Sequence, residues 1–109
     1  MNEDDLRNLE AAGTELAFSC GHVLIERGEP GAGLYLVREG QVVVDAADGS
    51  FEFGPGSVVG ERALLAEDGM RQARVRALTD CVVVAVGRVE VERLCAEDPA
   101  FAERLSQAS

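Results

Sequence analysis

One stretch of the sequence carries residue types that could together bind a phosphate ester. It begins with Gly60-Glu61-Arg62-Ala63, where a glycine precedes a short helical pattern, and it ends with Arg71-Gln72-Ala73, which leads into a strand pattern. Backbone N–H groups at a helix N-terminus attract anions, and a guanidinium fork matches two phosphate oxygens. The stretch from Gly60 to Ala77 therefore predicts a site for a small phosphate ester.

Arg71 is the candidate phosphate ligand, because a guanidinium stays charged at any relevant pH. Loss of its charged hydrogen bonds would weaken binding by about ten- to a hundred-fold or more. The backbone N–H groups of Arg62 and Ala63 are expected to point at the phosphate, and Gly60 allows close approach. The alternative for Arg71 is an exposed side chain paired with an acid. Gln72 could donate an amide hydrogen bond or merely fill space.

Glu61 places a carboxylate in a site predicted for an anion, so it needs a different role. It could accept a hydrogen bond from a ribose 2′-hydroxyl, as acidic residues do in dinucleotide sites. The alternative is a carboxylate that interacts with the helix dipole in the first turn, paired with Arg62 or Arg76.

Composition narrows the classes of function. The 109 residues suit one domain, and ten arginines against twenty acids, with no lysine, give a net charge of −10. This charge argues against direct nucleic-acid binding, and no apolar run approaches a membrane span of about 18 residues. Three widely spaced cysteines without a Cys-x-x-Cys pair predict a reduced, cytoplasmic protein.

Recurring glycines separate short segments rich in Val, Leu, Phe and Tyr, which predict about eight antiparallel strands in a sandwich or barrel. A helical pattern with Leu6 and Leu9 on one face precedes them; Asp4 or Asp5 is its expected cap and Gly13 its end. Two more helices are predicted after the strands. The first carries Val91, Leu94 and Cys95 on one face, and the second begins at Asp98-Pro99 with Phe101 and Leu105 four apart.

From about Gly21 to about Leu105, the chain resembles the cyclic nucleotide-binding domains of the bacterial catabolite activator protein, cyclic-nucleotide-dependent kinases and gated channels. The turns at Gly21-His22-Val23-Leu24 and Gly28-Glu29-Pro30-Gly31 match those of the family. The specific part is Gly60-Glu61-x-Ala63-Leu64 followed by Arg71-x-Ala73-x-Val75-x-Ala77, which is similar to the family's phosphate-binding cassette.

The resemblance implies that residues 1–109 form a single cyclic nucleotide-binding domain. The implied fold is mainly β, an eight-stranded antiparallel jelly-roll β-barrel with a short phosphate-binding helix, an N-terminal helix and two C-terminal helices. The implied function is a regulatory sensor whose terminal helices move on ligand binding and act on an effector domain in the same or another chain. Arg74 occupies the position at which Thr or Ser often marks a preference for cGMP in the family, and its presence there favours either cAMP or poor discrimination between the two nucleotides.

Two alternatives stay open. The chain could be a degenerate jelly-roll module with a structural or protein-interaction role and no nucleotide binding. Val44 and Val75 could line the base side of a pocket or be plain core residues. An enzyme is not expected, because the single histidine, His22, allows neither a Ser-His-Asp triad nor a histidine-rich metal site on such a barrel. Neither a metal nor a cofactor is predicted.

Overall fold

A computed structural model describes residues 1–29, 31–61 and 73–107, and these form three helices and eight strands. In chain order the elements are α1 (Glu3–Ala12), β1 (Thr14–Phe18), β2 (Val23–Ile25), β3 (Gly33–Glu39), β4 (Val42–Ala46), β5 (Gly49–Phe53), β6 (Val58–Val59), β7 (Arg74–Ala77), β8 (Cys81–Gly87), α2 (Arg88–Glu97) and α3 (Pro99–Ser106). The mainly β class with flanking helices is confirmed. The predicted phosphate-binding helix falls largely on residues outside the described ranges.

The strands form two four-stranded sheets in which every pairing is antiparallel. The first sheet has the order β1-β8-β3-β6 and the second β2-β7-β4-β5. No ladder of backbone hydrogen bonds joins the two sheets within the described ranges, so the expected closed eight-stranded barrel is not confirmed. The sheets meet through side chains, in the manner of a sandwich, and within the described ranges the edge strands of one sheet do not pair with those of the other.

Two clusters of buried apolar side chains hold together three layers, which are the helices, the first sheet and the second sheet. The helix-side core lies between the helices and the first sheet, and the inter-sheet core lies between the two sheets. Alternate residues of β3 belong to different clusters, since Leu34 and Leu36 face the helices while Val37 faces the second sheet. Strand β8 divides in the same way, with Val84 on the helix side and Val83 between the sheets. Both central strands therefore carry side chains of both cores.

The cap of α1 differs from the expected one. Asn2 is the N-cap, because its side-chain oxygen accepts a hydrogen bond from the backbone N–H of Asp5 at 2.8 Å. The Asp5 carboxylate accepts one from the backbone N–H of Asn2 at 3.1 Å, which completes a capping box. Asp5 is thus the third helical residue. At the other end of the chain Asp98 caps α3 as expected, accepting from the N–H of Ala100 at 3.2 Å.

A partly buried ion pair ties the first helix to the last. Arg104 of α3 donates two hydrogen bonds to the carboxylate of Asp5, at 2.6 and 2.8 Å, and a third to Asp98 at 3.1 Å. Asp5 is only 2% exposed. The hydrogen bond from Arg104 holds the pKa of the Asp5 carboxyl below its usual range, against the opposing effect of burial.

None of the helices in the described ranges is both long and apolar enough to cross a membrane.

Candidate functional site

The first half of the candidate site lies at the end of β6. Val58 faces the helix-side core and Val59 the inter-sheet core, so this two-residue strand is fixed from both sides. Gly60 follows with φ +89°. Residues that carry a side chain rarely adopt this backbone conformation, which explains glycine at this position. The backbone turns helical at Glu61, whose side chain is buried, with the residue 3% exposed. A buried carboxylate is costly outside a specific polar environment, so this burial argues against an ordinary solvated first-turn glutamate.

The second half enters at β7, the strand that pairs with β2 on one side and β4 on the other. Ala73 is half-buried immediately before this strand. The structure therefore places Gly60, Glu61 and Ala73 of the seven predicted site residues at the two ends of one connection. The other four lie outside the described residues, and their roles stay predictions: Arg62, Ala63, Arg71 and Gln72.

Arg71, Arg74 and Arg76 form a cluster of three arginines within six residues, and the last two are engaged in ion pairs on the outer face of the second sheet. Arg74 donates to Glu26 at 2.9 Å, and Arg76 donates to Asp45 at 3.1 Å. The hydrogen bond from Arg74 lowers the pKa of Glu26, and hydrogen bonds from Ser50 and then Arg76 lower that of Asp45. These guanidiniums brace β7 against β2 and β4, which leaves Arg71 as the member of the cluster assigned to an anionic ligand.

A shallow cavity of about 290 Å³ lies on this outer face. It is lined by Glu26, Arg27, Asp45 and Arg74. Its acids already accept hydrogen bonds from arginines, and Arg27 donates to the backbone oxygen of Asp45 at 3.1 Å. The cavity is thus part of the bracing network and lies on the face opposite the inter-sheet core.

Val44 and Val75 belong to one row of inward-facing side chains. Val44 pairs with Val75 across β4 and β7 and with Phe51 across β4 and β5. Val75 is buried in the inter-sheet core and Val44 packs against it, which supports the core interpretation of both valines. Phe51 was not singled out from the sequence. Its alternation with Ser50 and Glu52 was the available signal, but alternation alone does not say which face of a strand is inward.

The single histidine and the cysteines occupy structural positions. The His22 ring stacks on Phe18, with ring centroids 4.5 Å apart, and Cys81 is buried in the inter-sheet core. Cys20 is exposed, and its thiol donates to the backbone oxygen of Leu78 at 3.1 Å. Across the ranges that the structure describes, no group of three His, Cys, Asp or Glu side chains is arranged to hold a metal ion.

Residues 15–98 match the family model described as "Cyclic nucleotide-binding domain". The chain is 36% identical over 83 residues to a cyclic nucleotide-gated potassium channel of Mesorhizobium japonicum, a match that covers 76% of this chain and 23% of the channel. It is 32% identical over 89 residues to another such channel, from Rhizobium etli, covering 82% of this chain and 25% of the channel. The chain thus spans about a quarter of the length of the curated relatives it matches.

The fold is similar to a solved structure from work on a cyclic-GMP-dependent signalling pathway that regulates bacterial phytopathogenesis. The TM-score is 0.85 at 27% sequence identity, and the match covers 98% of this chain and 89% of that one. The family model spans every described strand from β2 to β8, as well as the cassette between β6 and β7. The chain belongs to the cyclic nucleotide-binding domain family.

Proposed function

We propose that this domain is a sensor of cAMP, bound at the connection between β6 and β7. Arg71 and the backbone N–H groups of Arg62 and Ala63 bind the phosphate, beside Gln72 and Ala73. Gly60 lets the ligand approach the backbone, and Glu61 accepts a hydrogen bond from the ribose 2′-hydroxyl. An effector domain in the same or another chain receives the signal.

The observation that carries this proposal is the burial of Glu61 directly after the positive-φ Gly60. A buried carboxylate at the end of a strand that is itself fixed by both cores is a positioned acceptor. A carboxylate accepts hydrogen bonds, so it suits a neutral hydroxyl, which can donate one. The phosphate also accepts, so it requires donors instead. Glycine and glutamate at this position, with an arginine ten residues after Glu61, provide both kinds of contact within one connection.

Strand β6 supplies a route from the ligand to the helices. Val58 packs in the helix-side core with Val91, Leu94, Phe101 and Leu105, and it lies two residues before Gly60. A ligand that draws Gly60 and Glu61 toward its ribose and phosphate would displace Val58 against this cluster. A sensor requires that the helices have two arrangements and that the ligand binds the domain more tightly in one of them, since otherwise binding shifts nothing.

Isothermal titration calorimetry with cAMP and cGMP tests the assignment. The unchanged protein is expected to bind cAMP more tightly than cGMP. The Arg71→Ala variant is expected to bind about ten- to a hundred-fold more weakly, or worse, because the charged hydrogen bonds to phosphate are lost. Arg7→Ala is the matched control, since the Arg7 side chain is 70% exposed and pairs only locally, with Asp4 at 3.1 Å.

Each outcome addresses a different part of the proposal. Undiminished binding by Arg71→Ala would contradict the site, and tighter binding of cGMP would contradict the choice of ligand. No heat with either nucleotide at millimolar concentration would favour the alternative, a jelly-roll module that retained the fold for a structural or protein-interaction role.

A further inference from the structure

We propose that Glu26 and Arg27 are positioning residues for the nucleotide site, because they hold the first residue of β7, where the connection from β6 rejoins the sheet. Both residues come directly after β2, which ends at Ile25. Arg74 begins β7 and lies three residues after Arg71. Glu26 and Arg27 act on the ligand through this strand and do not touch it. This inference rests on the proposed function, because it concerns the affinity of the same site.

Backbone pairing fixes the first residue of β7 on one side only. On the β4 side, Arg74 pairs with Asp45. On the β2 side, the ladder ends where Ile25 pairs with Val75, and its register shifts between Val23 and Ile25. Within the described ranges, the start of β7 therefore has no strand partner toward β2.

Side chains of the two residues after β2 supply the missing contacts. Nε of Arg74 donates to the Glu26 carboxylate at 2.9 Å, and this carboxylate also accepts from the backbone N–H of Arg27 at 3.1 Å. The Arg27 guanidinium donates to the backbone oxygen of Asp45 at 3.1 Å. Because β7 lies between β2 and β4, this side chain links the two neighbours of the strand. We call this set of contacts at the start of β7 the Glu26–Arg27 clamp.

The clamp is expected to act on ligand affinity more than on folding. The side chain of Arg74 is 50% exposed and that of Glu26 39% exposed, and an ion pair so accessible to water adds little to stability. Binding has a different requirement, since the ligand must be met by a connection whose ends already lie in the right places. Fixing one end in advance reduces the ordering that binding would otherwise have to bring about.

The sign of the effect distinguishes the clamp from the charge of Glu26. This residue is an acid beside a site for an anion, so by charge alone its removal should strengthen binding. The clamp predicts the reverse. Glu26→Ala should bind cAMP roughly three- to five-fold more weakly, with a free energy of unfolding close to that of the unchanged protein. Titration calorimetry and urea denaturation measure the two quantities.

A double-mutant cycle tests whether Glu26 acts through Arg74. Arg74→Ala should weaken cAMP binding to a similar extent, and the double variant should bind no more weakly than either single variant, because both changes break one contact. Arg76→Ala is the matched control. Its side chain lies on the same strand and face, is 42% exposed and pairs with Asp45 at 3.1 Å, two residues further from the connection. It also removes one positive charge, yet it should keep the affinity of the unchanged protein.

Four results would overturn the inference. Binding by Glu26→Ala that equals or exceeds that of the unchanged protein would show that the clamp does not position the site. Multiplied losses in the double variant would show that the two residues act separately. An equal loss in Arg76→Ala would make any positive charge on this face responsible. A fall in affinity matched by a fall in the free energy of unfolding would show a purely structural role. Absence of cAMP binding by the unchanged protein would instead contradict the proposed function, and this inference with it.

Discussion

Burial changes the chemistry that Glu61 can perform. An exposed first-turn glutamate mainly interacts with the helix dipole and with nearby cations, and water screens both effects. At 3% exposure, the Glu61 carboxylate is shielded from bulk water, so a ligand hydroxyl that reaches it exchanges a hydrogen bond with water for one to a charged, positioned acceptor. Such a contact discriminates between ligands by a single hydroxyl group.

The ribose assignment predicts a specific pattern of affinities. The unchanged protein should bind 2′-deoxy-cAMP about ten-fold more weakly than cAMP, because the deoxy ligand lacks the hydroxyl that would donate to the Glu61 carboxylate. Glu61→Ala should bind both ligands with nearly equal affinity, since the acceptor is gone. Titration calorimetry of the four combinations measures this coupling. A preference for cAMP that persists in Glu61→Ala would contradict the role of Glu61, and Glu52→Ala on the outer face of β5 is the control.

At this scale the sequence predicts residues that are close in the chain better than residues that meet across the fold. Gly60 and Glu61 are adjacent, so the glycine before a helical start could be predicted from the sequence, whereas their roles toward an anion and a ribose stay predictions. The partners of Arg74 and Arg76 could not be foreseen, because Glu26 and Asp45 are 48 and 31 positions away. Strand register brings them together, and register depends on the whole sheet.

Among the elements, the contact between α1 and α3 has a clear pH signature. The Asp5 carboxylate accepts from Arg104 and from the backbone of Asn2, and Asp98 shares the same guanidinium. The pKa of Asp5 is lower in the folded chain than the usual value of 3.8, principally because of the hydrogen bond from Arg104. The unfolded chain binds the proton first as the pH falls. The stabilisation is therefore complete well above pH 3.8 and is lost as the pH falls below it through the folded pKa.

Asp5→Asn should lower the free energy of unfolding by about 1.5–3 kcal/mol at pH 7, because it removes a charged hydrogen bond while preserving size and an acceptor for the cap. The difference between this variant and the unchanged protein should shrink as the pH falls below about 4, because the carboxyl of the unfolded chain is protonated before that of the folded chain. Urea denaturation at pH 7, 5, 4 and 3 measures it. Asp4→Asn, which alters an exposed pair with Arg7, should have little effect. A difference that stays constant down to pH 3 would contradict the assignment.

Elements with strong local signals are predicted well, and those defined by pairing are not. Asp98-Pro99 predicts the start of α3 correctly, because capping is a local interaction. For α1 the expected caps, Asp4 and Asp5, are wrong, because the side chain of Asn2 accepts the capping hydrogen bond from the backbone N–H of Asp5. Strand β6 was not singled out, since Val58-Val59 is too short for an alternation pattern. It exists because it pairs with Tyr35 and Leu36 of β3.

At the scale of the whole molecule, β3 and β8 make one cooperative unit from three layers. Each contributes alternate side chains to the helix-side core and to the inter-sheet core, so we expect the two cores to unfold together. Turn spacing alone could not distinguish a closed barrel, which is not confirmed, from a sandwich, because the same short strands and turns suit both. Closure depends on pairing between edge strands distant in sequence.

This arrangement predicts a single unfolding transition seen equally by two probes. The chain has no tryptophan and one tyrosine, Tyr35, which packs against the inter-sheet core, while the helices dominate far-UV circular dichroism. Tyrosine fluorescence and circular dichroism should give the same urea midpoint. Leu105→Ala, which empties a fully buried position in the helix-side core, should lower the free energy of unfolding by about 2–5 kcal/mol and shift both midpoints together.

Glu103→Ala, an exposed change on the same helix, is the control for that experiment. Separate midpoints for the two probes in Leu105→Ala would show that the layers unfold independently. The proposed route by which a ligand acts on the helices through β6 would then need a different physical basis.

The contact between Asp5 and Arg104 also brings together two residues that are 99 positions apart in sequence. Two helices that lie side by side can be joined by a few glycines, and the chain reopened elsewhere, without altering any strand pairing. The exposed turn at Ala47 and Asp48 between β4 and β5 is a suitable new opening. Two fluorophores attached to α1 and α3 would for the same reason lie close together in the folded chain and separate when α3 leaves α1.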